Sequence, residues 1–259
     1  MFKERIKKIY SFRHALWDMA VVQFRAKYAG SKLGIWWAVI TPLLLALSIN
    51  FVFNVAFKIA MANYTFFVLV GIMPWFFFTN ALTEATNSFA AGSSILKQTL
   101  SPPEFIPISC ILANLLNFLV GIAFLLPLLA GLNFNAIKLL PFLALIILLN
   151  FLFIAGLGIF FSSLNVFFRD LSHFLSIGFM VWFWITPVFY PLDAIPLSFR
   201  WVCILNPMTH YIVLYQDVLF YAQSPSWLAI LNALSLAVLS VVIGYVFFLR
   251  KESSLLKRI

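Results

Sequence analysis

Long apolar stretches separated by short polar ones dominate the chain. Residues 34–57, 66–90, 108–132, 139–166, 174–190 and 227–249 each read as a helix able to cross a ~30 Å hydrocarbon core. A different pattern precedes them. Over 2–24, Phe2, Ile6, Ile9, Leu16, Ala20 and Phe24 recur with a roughly helical period, while Lys3, Lys7, Lys8 and Arg13 take other positions. This predicts an amphipathic helix within residues 1–32, lying in the membrane interface with its basic face toward headgroups. Both a positive-inside anchor and a grip on a cytosolic partner fit such a helix.

The stretch 201–222 is apolar enough to suggest a seventh crossing, and charge decides against it. With six spans and both termini in the cytosol, fourteen of the seventeen Lys and Arg residues fall inside, leaving only Lys58, Lys138 and Arg200 outside. That asymmetry follows the positive-inside rule. The stretch also carries Asn206, Pro207, His210, Gln216 and Asp217, which a lipid-exposed span tolerates poorly. Residues 194–222 therefore read as re-entrant or interfacial helices on the outer face, where irregular backbone is tolerable if buried in protein. The expected fold is an all-α polytopic membrane protein with six spans and both termini cytosolic, built as one transmembrane domain over 1–259.

Composition secures the membrane class: 64% of 259 residues are hydrophobic, 10% are charged, and the mean hydropathy is +1.04. The net charge of +9 does not point to nucleic acid, because the basic residues gather at the two ends of the chain, as orientation signals do. No compact apolar segment with a small-residue cleavage site comes after the basic start, so no cleavable signal peptide is expected. Cys110 and Cys203 give neither metal spacing nor a disulfide framework.

Chemistry-bearing motifs are sparse. The string Gly30-Ser31-Lys32 lacks the glycine loop of a phosphate cradle. His14, His173 and His210 are widely separated, and no hydrolase or metal-ligand array can be assembled. One polar stripe stands out: Thr79, Asn80, Thr83, Glu84, Thr86, Asn87 and Ser88 in the second span, with Glu84 the only acid within any expected span. An ionisable residue there marks either a functional site or a near-interface carboxylate reaching cytosolic water. A polar, proline-broken loop, 92–107, comes next with Lys97, Pro102, Pro103 and Glu104, and Asn114 and Asn117 interrupt the third span.

Several strings together resemble a known family. They are Arg25-Ala-Lys-Tyr-Ala-Gly-Ser-Lys-Leu-Gly-Ile-Trp-Trp-Ala38, Pro42, Gly71-Ile-Met-Pro-Trp-Phe-Phe-Phe78, Leu164-Asn-Val-Phe-Phe-Arg-Asp170, Thr186-Pro-Val-Phe-Tyr-Pro191 and Asn206-Pro-Met208. In order and spacing they resemble the permease subunits of ABC-2 type polysaccharide exporters, most of all the O-antigen branch, with teichoic-acid and capsule exporters as alternatives. The resemblance implies a homodimer in the bacterial inner membrane with two separate cytosolic ATPase subunits. ATP and Mg would then sit on those partners, with no cofactor and no catalytic residue on this chain. It also implies a lipid-linked polysaccharide as substrate, alongside membrane lipids and no nucleic acid.

By the same resemblance, the loop 92–107 corresponds to a coupling element and 194–222 to outer gate helices. Arg25, Lys27, Lys97, Glu104, Arg169 and Asp170 become coupling candidates, and Pro187, Asp193, Asn206, Pro207, His210 and Asp217 gate candidates. Sugars present apolar C–H faces beside hydroxyls, so Trp36, Trp37, Trp75, Phe76, Tyr190 and Tyr211, with Glu84, are candidates for a translocation path. Lipid-belt or helix-packing roles for those aromatics stay open. So does a different class, an ion or small-solute channel using Glu84 as its selectivity charge, and a membrane-bound sugar-modifying enzyme.

Overall fold

A computed structural model describes residues 11–56, 61–91, 102–132 and 134–258. Among them there is no strand; nine α-helices are joined by short 3-10 and π turns. Helix α1 is Arg13–Ala26, α2 is Trp37–Asn50, α3 is Tyr64–Ala91 and α4 is Phe105–Leu132. They are followed by α5 (Leu140–Asn165), α6 (Leu171–Ile185), α7 (Arg200–Leu205), α8 (Pro207–Tyr215) and α9 (Trp227–Leu256). Among the described residues, five helical stretches are long and apolar enough to cross a membrane: Gly34–Asn54, Tyr64–Ala91, Phe105–Leu129, Asn135–Asn165 and Trp227–Leu255. The first residues of the expected interface helix, and most of the loop 92–107 including Lys97, lie outside the described residues.

Helix α3 forms the centre. Its apolar window is 72% buried, against 22% for the first span and 28% for the last. It packs on α2, α4, α5, α6 and α8. Ring contacts bind these elements: Phe78 stacked on Phe153 at 6.1 Å, Phe153 stacked on Tyr211 at 5.1 Å, and Trp75 edge-on to Trp182 at 6.3 Å. Pro42, Pro74 and Pro127 sit inside helices. Such prolines are tolerated in membrane bundles because neighbours re-satisfy the freed backbone groups.

The chain enters the bundle through a turn between α1 and α2 that only glycine adopts easily. Gly30 and Gly34 have φ of +78° and +54°. On the far side, α5 and α9 approach backbone to backbone. A Cβ on Gly156 would lie 2.3 Å from the Ser240 carbonyl carbon, and one on Gly244 would lie 2.0 Å from the Gly156 oxygen. Small residues that admit this approach are a recurrent device of membrane helix packing.

Three element boundaries differ from the sequence reading. Helix α4 starts at Phe105, so the expected loop 92–107 ends earlier, and Pro107 falls in the first turn, where its missing N–H costs nothing. Helix α9 continues to Leu256, past the expected 249. Helix α6 covers Leu171–Ile185 instead of 174–190, because Thr186 precedes Pro187 and takes an extended conformation (φ −88°, ψ 136°).

Beyond α6 the chain runs as a buried non-helical segment. Thr186, Pro187, Val188 and Phe189 are all buried. Side chains from other elements satisfy the backbone oxygens freed there. Cys203 Sγ donates to Ile185 O (3.3 Å), Gln216 Nε2 to Pro187 O (2.9 Å) and Tyr64 Oη to Phe189 O (2.6 Å), while Asn206 Nδ2 donates to Thr186 Oγ1 (2.8 Å). Gly71 of α3 makes room for it: a Cβ there would lie 2.4 Å from Val188 O.

Candidate functional site

The polar stripe of α3 faces a tract bounded by α1, α2 and α4. Thr79, Asn80, Thr83, Glu84 and Asn87 recur at helical spacing along one side. At their Tyr64-side end lies a cavity of about 280 Å³ lined by Tyr28, Trp37, Thr41, Phe76, Thr79, Asn80, Asn114 and Asn117 among others. Toward Ala91 a second cavity, about 510 Å³, is lined by Gln23, Lys27, Thr83, Glu84, Asn87 and Cys110 among others.

A closed ring of three side chains stands between them. Lys27 Nζ lies 2.8 Å from Glu84 Oε1 and donates to Asn114 Oδ1 at 2.6 Å, while Asn114 Nδ2 donates to Glu84 Oε2 at 2.7 Å. The Lys27 and Glu84 side chains are 23% and 43% exposed. Charge-assisted hydrogen bonds of this kind are stronger than neutral ones. On either side, Gln23 Nε2 of α1 donates to Ser109 Oγ at 2.9 Å, and the hydroxyl of Tyr28, in the turn after α1, donates to Asn117. Helix α1 and the turn after it, which carries Lys27 and Tyr28, are thereby joined to α4 by three polar contacts. Lys27 and Glu84, read from sequence as a coupling residue and a path residue, belong to one ion pair.

The other path candidates separate. Trp37 and Phe76 line the 280 Å³ cavity. Trp36 is exposed and meets Phe124 edge-on at 5.8 Å. Trp75 and Tyr211 are packed inside the bundle, and the Tyr211 hydroxyl donates to Ala233 O at 2.8 Å. Tyr190 is partly buried and donates to Trp184 O at 3.1 Å.

Of the gate candidates, Asn206 caps α8 by accepting from Met208 N at 3.0 Å, with Pro207 in the first turn. Asn206 also reaches Thr186, and Pro187 lies in the buried segment, so these two belong to one unit. His210 Nε2 is 3.0 Å from Ile204 O. Asp193 pairs with Arg200 at 3.4 Å but is 94% exposed, a geometry worth little. Burial raises the Asp217 carboxyl above its ordinary range.

The coupling candidates are dispersed. Arg25 is exposed on α1. Glu104 is fully buried just before α4, where a helix N-terminus favours an acid. Arg169 lines a third cavity of about 360 Å³ with Asn87, Asn165 and Arg258, and Arg258 lies 4.9 Å above the Phe167 ring. Asp170 is exposed at the start of α6. Among the described residues, no group of three or more His, Cys, Asp or Glu residues converges to hold a metal ion.

Sequence reasoning missed the joining of Asn114 and Asn117 to the turn after α1, and the roles of Tyr64 and Gln216. A signal existed for the first. Two amides three residues apart share a helix face, and a face that polar within an apolar span needs polar neighbours.

A helical bundle with several helices of membrane-crossing length, a polar tract and a side-chain-braced irregular segment is the architecture of a polytopic membrane protein, and the chain belongs to the ABC-2 type transporter family, matched over residues 14–220. It is similar to the O-antigen export system permease protein RfbA of Klebsiella pneumoniae, 34% identical over 218 residues that cover 82% of this chain and 84% of the relative. The protein of the same name from Myxococcus xanthus is 29% identical over 92% of this chain and 91% of its own length. The polysialic acid transport protein KpsM of Escherichia coli is 20% identical over 90% and 92%.

Proposed function

We propose that the chain is the membrane-spanning permease subunit of an ATP-driven exporter that carries a lipid-linked polysaccharide of the O-antigen class from the cytosol across the bacterial inner membrane. The observation that carries this reading is the similarity, along most of both chains, to permeases named for O-antigen export. The lower identity to the polysialic acid protein favours O-antigen over capsule. In this reading two copies associate, and two cytosolic ATPase subunits supply ATP hydrolysis with its Mg. Helix α1, Arg169 and Asp170 face those subunits. The polar tract along α3 supports a hydrophilic passage, because unpartnered polar groups within hydrocarbon are costly.

The topology proposed is six spans with both ends cytosolic. Helix α6 together with the braced segment 186–190 forms the fifth crossing, and residues 194–222 form a cap on the outer face. The buried amides and hydroxyls of 186–216 support the cap, since irregular backbone at membrane depth requires partners from the protein.

Two measurements test the proposal. Removing the chain should abolish surface O-antigen, and a P-loop ATPase should co-purify with it; purified chain that conducts ions with no ATPase would instead indicate a channel. For the topology, Ser198→Cys should be labelled by an impermeant thiol reagent from outside the cell and Ser254→Cys should not. External labelling of position 254 overturns the six-span arrangement.

A further inference from the structure

The 280 Å³ cavity beside α3 holds polar groups that no other described residue satisfies. Asn80 lies about 24 Å along α3 from Tyr64 and about 17 Å from Ala91, well inside the helix. It is exposed, and among the described residues its amide has no hydrogen-bond partner. Thr41 of α2, on the same cavity, is likewise exposed and without a side-chain partner among them. An amide left bare in hydrocarbon costs several kcal/mol. These groups therefore face water or a polar ligand.

The rest of the lining selects among ligands. Trp37, 44% exposed, and Phe76 supply aromatic surface on the same cavity. Among the described residues, no Lys, Arg, Asp or Glu lines it. The nearest ion pair, Lys27 with Glu84, is mutually neutralised and opens onto the other cavity. An anionic ligand would lose hydration there without gaining a counter-charge. A neutral polyol ring matches both halves of the lining, with C–H faces for the indole and hydroxyls for the amide and threonine. The volume falls at the lower limit of the ~300–1,000 Å³ usual for ligand pockets, which suits a single ring.

We propose that this cavity is a subsite for one uncharged sugar residue, with Trp37 against the ring face and Asn80 and Thr41 hydrogen-bonded to its hydroxyls. The inference rests on the polysaccharide-exporter reading and narrows it: the transported glycan presents neutral hexose-type units to this protein.

The test uses full-length protein in lipid nanodiscs and saturation-transfer NMR with methyl hexopyranosides and with D-glucuronate. The hexosides should bind, and glucuronate should bind at least about fivefold more weakly. Asn80→Leu and Thr41→Val should each weaken hexoside binding by about fivefold to tenfold, the loss expected for one hydrogen bond. Equal binding of glucuronate, or hexoside binding unchanged in both variants, overturns the subsite. So does a disulfide between protomers in Asn80→Cys, which would place the amide against a second copy of the chain. A higher unfolding temperature for Asn80→Leu with unchanged binding would mean that the position faces lipid, and overturns it too. If surface O-antigen persists when the chain is removed, the exporter reading falls while measured hexoside binding keeps the subsite. If O-antigen is lost on removal but Asn80→Leu both binds and exports normally, the subsite falls and the exporter reading stands.

Discussion

Lys27 and Glu84 are separated by 57 positions in sequence, yet their charged atoms lie 2.8 Å apart. Both side chains keep some contact with solvent, so the pair contributes at the modest end, about 0.2–1 kcal/mol. Its importance lies in position, since it ties the turn after α1 to α3. Glu84→Gln should lower surface polysaccharide while leaving assembly intact, because the amide keeps the shape and the Asn114 contact but loses the attraction for Lys27. Unchanged polysaccharide levels would remove any role for the charge. Exchanging the two charges in a Lys27→Glu, Glu84→Lys double variant should recover part of the loss. The sequence made Glu84 conspicuous as the lone acid of a span but could not name its partner. Which residues meet between helices depends on rotation and register, and an apolar span with few polar marks specifies neither.

At the scale of the element, the segment after α6 is held by donors from three separate places: Tyr64 on α3, Cys203 on α7 and Gln216 after α8. Gln216→Leu and Tyr64→Phe should each destabilise the protein by about 1–3 kcal/mol, because each leaves a buried carbonyl without its donor. Thermal unfolding of the detergent-solubilised variants reads this, and a change below half a kcal/mol would show that water replaces the lost donor. The helices were largely legible in the sequence, since runs of twenty or more apolar residues have few alternatives to a helix. The end of α6 was less so. Pro187 carried the stop signal, but Val188, Phe189 and Tyr190 continue the apolar run, and hydropathy alone does not distinguish a buried extended strand of chain from a helix.

Across the whole molecule, α3 is enclosed while α2 and α9 present apolar surface outward. The contact of α5 with α9 through Gly156 and Gly244 fixes one side of the bundle at backbone distance. Gly156→Ala should cost about 1–3 kcal/mol, the usual penalty of forcing a methyl group into a filled site. The unfolding midpoint should fall accordingly, and an unchanged midpoint would mean that the two helices separate freely. Helix α6 carries a different consequence. Its 15 residues rise only about 22 Å, so in the proposed six-span topology the extended segment 186–190, at about 3.3 Å per residue, completes the crossing of a ~30 Å hydrocarbon core. The outer part of that crossing then depends on donors lent by other helices and not on its own helical backbone.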